Sequence, residues 1–141
     1  NLSIDQIFDK ETIKTSEVLN LKTLQSSIFI NDKGKFKPIS LPPEINYSTM
    51  YDIEIVEKNK SGIKIVIGGN QYKIKPQFGR QDASKGYFLN IELSNDSIFY
   101  SNLESLNIDG QIRKFEIINS KDEKVIAVGI NNEKTKFFEY D

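Results

Sequence analysis

SGIKIVIGGNQYKIKPQFGRQDASKGYFLNIEL, residues 61–93, is the stretch whose reading decides the fold. Two strands are predicted in it, Ile63 to Ile67 and Tyr87 to Leu93, because β-branched and aromatic residues alternate there with polar ones. Ile63, Ile65 and Ile67 share one face, and Val66 sits on the other, so the first strand is expected to be buried on both sides, as a central strand is. The connection between the two strands contains Asn70, Pro76, Gly79, Arg80, Asp82 and Gly86, and it reads as neither a tight hairpin nor a helix.

Working outward, the same alternation recurs. Tyr51 to Val56 places Tyr51, Ile53 and Ile55 on one face and Asp52 and Glu54 on the other. Ser27 to Asn31 and Lys35 to Ile39 flank Asn31-Asp32-Lys33-Gly34, a hairpin turn in which Gly34 supplies positive φ. Pro42-Pro43 ends that pair, and residues 44–50 form a linking loop with Tyr47 or Met50 turned inward. Downstream, Ser94 to Ser97 is a turn, Ile98 to Tyr100 begins a strand, and Asp109-Gly110 marks a break. Arg113 to Ile118 and Lys124 to Gly129 pair around Asn119 to Glu123, and Thr135 to Tyr140 is the last strand. Near the start, Ser3 is placed to cap a short helical turn through Ile4, Ile7 and Phe8. The fold class is all-β.

Composition removes whole classes of chemistry. The chain has no cysteine and no histidine, so thiolate and imidazole ligands, disulfides and the commonest general base are lacking. Nineteen basic residues nearly balance twenty acidic ones, for a net charge of −1, which provides no positive field for nucleic acid. No signal peptide is recognisable, and no apolar run approaches the roughly 18 residues of a membrane span. Beginning at Asn1 rather than methionine, the chain is expected to be part of a longer protein.

Laid side by side, the segments repeat. YDIEIV at Tyr51 matches RKFEII at Arg113, and IVIGGN at Ile65 matches IAVGIN at Ile126. IFINDKGKF at Ile28 is similar to FLNIELSNDSIF at Phe88. The period is about 60 residues, and each full unit reads as four strands. Four-stranded units at regular spacing predict propeller blades, with a β-sandwich as the alternative. Residues 1–141 are expected to be a single all-β domain or the C-terminal fragment of a larger propeller, with a partial blade over 1–43, a complete blade over 51–106 and a partial last blade over 112–141.

The connection also carries a family resemblance. Gly69, Asn70, Tyr72, Lys75, Pro76, Gly79, Arg80, Asp82, Ala83, Ser84 and Gly86 match a GNFY…KPE-LGR-DASYG signature. That signature resembles the C-terminal region of bacterial (Bacteroidetes-type) FG-GAP/VCBS-repeat proteins, which are integrin-alpha-like β-propellers. The segment Gln6 to Glu11 is similar to their IFGKE, and Ser27 to Phe36 to their S-FLNNGDGTF hairpin, so nearly the whole chain is covered. The resemblance implies a seven-bladed propeller, of which this chain supplies about two to three blades. It further implies a location in the periplasm, at the outer membrane or outside the cell, and a non-catalytic role in protein or surface interaction. Its partners are then a protein or glycan at the cell surface, the remaining blades, or a second copy. Blades of this family often carry a calcium loop, D-x-D-x-D-G-x-x-D. The aligned loop, Glu57 to Ile65, keeps Glu57, Asn59 and Gly62 but has Lys60 and Ser61 where oxygen donors belong. Calcium needs six to eight oxygens, so it is not expected at 57–65, though blades outside this chain could hold it. No other cofactor or metal is expected.

Candidate binding residues gather on the same connection. Arg80 and Asp82 offer a planar donor fork beside an acceptor, suited to a carboxylate or to sugar hydroxyls. The competing role for this pair is to fasten the loop to neighbouring backbone. Tyr72, Phe78 and Tyr87 form either an aromatic platform or part of the core. Asn70, Pro76, Gly79, Ser84 and Gly86 are assigned to loop geometry. Lys60, Lys64, Lys73 and Lys75 read as a solvated face, since Glu54 and Glu57 dilute their field. No nucleophile has a base in sequence reach, and Glu54 with Glu116 is no evidence for glycosidase chemistry. Three functions follow in order: a non-catalytic extracytoplasmic propeller fragment, a carbohydrate-binding module, and a hydrolase on a propeller scaffold with converging carboxylates.

Overall fold

The computed structural model describes residues 2–93, 98–119 and 123–140. The predicted turn at Ser94–Ser97 and the middle of that at Asn119–Glu123 lie outside these residues. Two short helices, α1 (Ile4–Ile7) and α2 (Lys10–Thr15), open the chain. Strands follow at β1 (Ile28–Asp32), β2 (Lys35–Ile39), β3 (Met50–Lys58), β4 (Gly62–Gly69), β5 (Tyr87–Leu93), β6 (Ile98–Ser105), β7 (Ile112–Asn119), β8 (Lys124–Ile130) and β9 (Lys136–Glu139). Each coincides with a predicted alternating segment, because alternation and turn residues are local signals.

Turn chemistry does its part. Lys33 and Gly34 take φ of 52° and 87°, the left-handed pair that a tight hairpin requires, and Asn31 Oδ1 accepts the Gly34 N–H at 2.8 Å. At the N-terminus Asp9 caps α2 by accepting the Glu11 and Thr12 N–H groups, at 3.0 and 2.9 Å. These bonds, chiefly from Thr12, hold its carboxyl below the usual aspartate range. Neither helix buries a side chain.

The strands form three antiparallel sheets: β1-β2, β3-β4-β5-β6 and β7-β8-β9. Each is a simple meander, so every pairing joins strands adjacent in sequence. The middle strands of the four-stranded sheet, β4 and β5, are covered on both faces. On one face, Ile65, Leu89 and Ile91 pack with Ile39 and with Ile28 and Ile30 of the β1-β2 hairpin. Ile45, from a 3-10 turn at Pro43–Asn46, completes that side with Ile67 and Tyr87. On the other face, Val66 and Phe88 pack with Phe115, Ile126, Val128 and Ile130 of the three-stranded sheet. Double coverage explains why β4 and β5 are buried on alternate and intervening positions alike. Gly68 sets how close the layers come. A Cβ there would lie 2.8 Å from Ile112 Cδ1 and 3.0 Å from Phe115 Cζ.

The propeller expectation is overturned here. The sheets are separate and unclosed, with two, four and three strands, and they do not wind into propeller blades. The repeat is a property of hairpins, and a hairpin pattern is the same whether or not the sheets later close around an axis. In the link before β3, Ile45 and Ser48 are buried and Tyr47 is exposed, so of the two residues expected to turn inward it is Met50 that does so, half-buried against Ile45, Ile67 and Tyr87. Pro42 and Pro43 start the 3-10 turn that directs Ile45 inward.

At the level of hairpins the correspondence read from the sequence has a structural counterpart. β3-β4 pairs Ile53 with Ile67 and Ile55 with Ile65, while β7-β8 pairs Phe115 with Val128 and Ile117 with Ile126. Both ladders carry a register shift at the same place, between Met50 and Asp52 and between Ile112 and Lys114. The third strands agree as well, since Val66 faces Phe88 and Ala127 faces Phe137. Among the described residues, no helix is long and apolar enough to cross a membrane.

Candidate functional site

The connection from β4 to β5, residues 70–86, is organised by one buried side chain. Asn70 takes φ of 111°, a conformation that asparagine tolerates better than most residues. Its backbone N–H donates to Thr49 O at 2.8 Å, ahead of β3. Its side-chain amide donates to Ser84 O and to Gly110 O, both at 2.8 Å, and its Oδ1 accepts the Ser84 N–H at 2.9 Å. The Asn70 carbonyl accepts from the Arg113 guanidinium at 2.8 Å. Both ends of the loop are thereby tied to each other and to the two segments that precede β3 and β7. Ser84 is buried as completely as Asn70.

A ring of amides and aromatic groups surrounds this anchor. Gln71 and Gln81 exchange backbone hydrogen bonds of 2.8 and 3.0 Å, closing the loop into a narrow neck. Thr49 Oγ1 donates to Gln81 Oε1, and Tyr51 Oη donates to Gln71 Oε1 at 2.5 Å. Arg113 lies over the Tyr51 ring, 3.8 Å from its centroid, and donates to Gln111 Oε1 at 2.9 Å. Gln111 in turn accepts the Tyr72 N–H at 3.0 Å. Tyr51 and Arg113 occupy corresponding positions in the two repeats, so the stack joins one hairpin to the other. Arg113, Gln111 and Gln71 were not singled out from the sequence. The available signal was a basic residue standing where the repeat partner is aromatic.

Beyond the neck the loop projects into solvent. Pro76 opens a 3-10 turn, Pro76–Phe78, that stops at Gly79 with φ of 71°. Phe78 is 73% exposed. Arg80 lies over the Tyr72 ring, 3.5 Å from its centroid, and its Nε is 3.2 Å from Asp82 Oδ2. Both charged side chains remain more than half exposed, so the ion pair itself contributes little to stability. Tyr72, Phe78 and Arg80 therefore share the projecting part of the loop, and Asp82 reaches Arg80 from just below the neck. Tyr87 stands apart, buried with Ile45 and Ile67, its hydroxyl 3.4 Å from Ala83 O. Gly86 closes the loop at φ of 67°, where a Cβ would meet Ile112 Cδ1 at 3.1 Å.

Lys85 and Asp109 form an ion pair at the base of the loop. The Lys85 ammonium, through its hydrogen bond and then its charge, holds the Asp109 carboxyl below the usual 3.8, and Asp109 raises Lys85 in return. The pair's contribution is present above the ordinary aspartate pKa and is lost as pH falls through the depressed one. At the alkaline end it is lost as pH rises through the raised lysine value. Substituting Lys85→Met is expected to return the Asp109 midpoint upward to the ordinary range, read by carboxyl-carbon NMR titration at low salt.

Two further sets of polar groups are committed to the fold. Asn59 Oδ1, in the loop 57–65, accepts from Ser61 N, Ser61 Oγ and Gly62 N at 2.8, 2.7 and 3.0 Å. Asp52 and Glu54 converge on Lys114, and Asp52 Oδ2 also accepts the Phe115 N–H at 2.6 Å. Among the described residues, no group of three or more His, Cys, Asp or Glu is placed to hold a metal. A cavity of about 470 Å³ opens at the other end of β4, bordered by Glu57, Ser61, Lys64, Asn90 and Glu92.

Comparison with protein-family models, with curated proteins and with solved structures returns no match. The resemblance to FG-GAP/VCBS-repeat, integrin-alpha-like propellers is therefore not upheld, by sequence family or by architecture. The functional role inferred from that family, including its reading as an extracytoplasmic propeller fragment for surface interaction, falls with it. So does the hydrolase reading, which required a propeller channel.

Proposed function

We propose that this chain is a carbohydrate-binding module whose ligand surface is the projecting loop 70–86. The observation that carries this reading is an exposed Phe78 ring two residues from Arg80, whose exposed guanidinium pairs with Asp82, on a loop whose base is pinned by buried hydrogen bonds between Asn70 and Ser84. A sugar ring has an apolar face of C–H groups and an edge of paired hydroxyls. An exposed aromatic ring suits the first, and a guanidinium with a neighbouring carboxylate, which between them offer donors and acceptors, suits the second. Stacking on Tyr72 keeps the guanidinium oriented before ligand arrives, which lowers the entropy lost on binding. A module of this kind acts where polysaccharide is met, in the periplasm or at the cell surface.

Binding to a glycan array spanning plant, microbial and animal polysaccharides is the test. At least one carbohydrate class is expected to bind. Phe78→Ala is expected to weaken that binding at least tenfold, about 1.4 kcal/mol, while leaving the thermal midpoint unchanged because the ring is exposed. An array without a ligand, or a Phe78→Ala protein that binds as well as the parent, overturns the proposal.

A further inference from the structure

Between Gln71 and Gln81, which form its neck, the loop carries Lys73, Lys75 and Arg80 and no acidic residue, in a chain whose net charge is −1. All three basic residues are exposed. On sequence alone Glu54 and Glu57 dilute the field of these lysines, but the fold takes both acids away from them. Glu54 is held by Lys114. Glu57 pairs with Lys64 in the β3-β4 ladder, so it lies roughly 17 Å along β4 from Gly69, about two screening lengths at physiological salt.

Acids nearer the loop are occupied or lie at its base. Asp109 pairs with Lys85, and Asp82 meets Arg80 through Nε, 3.2 Å from Oδ2. Glu133 stands beside Gly110, at the base of the loop. Among the described residues, the terminal nitrogens of Arg80 have no hydrogen-bond partner, and no carboxylate pairs with Lys73 or Lys75. Arg113 adds a fourth cation at the neck. Its hydrogen bonds go to uncharged oxygens: Asn70 O, Ile112 O, Gln71 Oε1 and Gln111 Oε1. The projecting part of the loop is therefore a local positive field around an exposed aromatic ring, Phe78.

We infer that the ligand of this loop is an acidic polysaccharide. Its carboxylate or sulfate groups are met by the Lys73 and Lys75 ammonium groups and by the open side of the Arg80 guanidinium, while Phe78 takes a sugar face. A neutral glycan leaves those charges without a counterpart, and an anionic polymer lacking sugar rings leaves Phe78 without one. The inference rests on the carbohydrate reading and narrows it to one charge class.

Titration with matched polymers tests it: polygalacturonate against its methyl ester, dextran sulfate against dextran, and polyphosphate as an anion without sugar. At least one acidic polysaccharide is expected to bind, at least tenfold more tightly than its uncharged counterpart and than polyphosphate. Which pair responds tells carboxylate from sulfate. That binding is expected to weaken steadily from 50 to 500 mM salt. Lys73→Gln with Lys75→Gln is expected to weaken it about tenfold and to flatten the salt dependence. Lys58→Gln with Lys60→Gln, the same charge change at the far end of β4, is expected to leave it unchanged. All four lysines are exposed, so circular dichroism is expected to stay the same. Binding of dextran or the methyl ester as tight as that of the acidic polymers overturns the inference and leaves the carbohydrate reading standing. Polyphosphate that binds as tightly as the acidic polysaccharides overturns both. Acidic polymers that fail to bind, or a Lys73 and Lys75 double variant that binds as well as the parent, overturn the inference alone.

Discussion

Asn70→Ala is expected to destabilise the protein by about 3 kcal/mol or more, the sum of three buried groups left without partners at roughly 1–3 kcal/mol each. The groups are the Ser84 N–H, the Ser84 carbonyl and the Gly110 carbonyl, and all three meet at the one amide. Alanine is also strained at φ of 111°, where asparagine and glycine are tolerated. Asn70→Gly separates the two causes: it relieves the strain but restores none of the hydrogen bonds, so it is expected to lie between the parent and Asn70→Ala. Urea denaturation gives the ranking. Amide hydrogen exchange adds a local reading, with faster exchange at Ser84, Gln71 and Gln81 in both variants.

Phe115→Ala is expected to cost about 3–5 kcal/mol, the range for removing a fully buried aromatic ring from a packed core. Its ring is closed in by Val66, Phe88, Ile112, Ile126 and Val128, and its tip lies against Gly68. The informative control is Ile53→Ala, at the corresponding position of the other hairpin. Ile53 is half exposed, so the same truncation is expected to cost about 1 kcal/mol or less when measured on dilute protein. Equal costs at the two sites would contradict the layer order described for the sheets. Together the pair distinguishes what the repeat shares, its strand register, from what it does not, its burial.

The strands were legible because alternation and turn residues are encoded within a few positions of each other. Ile63 to Ile67 with Val66 pointed to a doubly covered strand, and β4 lies in the middle of three layers. The global arrangement was not legible for the complementary reason. A pairing such as Ile55 with Ile65 fixes a hairpin and says nothing about whether sheets close into a ring or stack as layers. The signature through Gly79, Arg80, Ser84 and Gly86 likewise describes a loop with two left-handed glycines and a buried clamp. Such local geometry can stand on more than one architecture. Tyr87 shows the limit at a single residue. It adjoins the loop in sequence, but its register against Ile67 assigns it to the core. Arg113 shows the converse: its link to Asn70 and Tyr51 crosses from one sheet to another, and no short-range pattern reports that.

Carbohydrate binding by the loop is tested most directly by NMR titration of isotopically labelled protein with the oligosaccharide that binds most strongly on the array. Shifts are predicted at the backbone amides of Tyr72, Phe78, Arg80 and Asp82, with the side-chain amide of Asn70 unmoved because its partners are buried protein groups. Shifts that centre instead on Glu57, Lys64 and Glu92 around the far cavity, or on the outer strands, would contradict it.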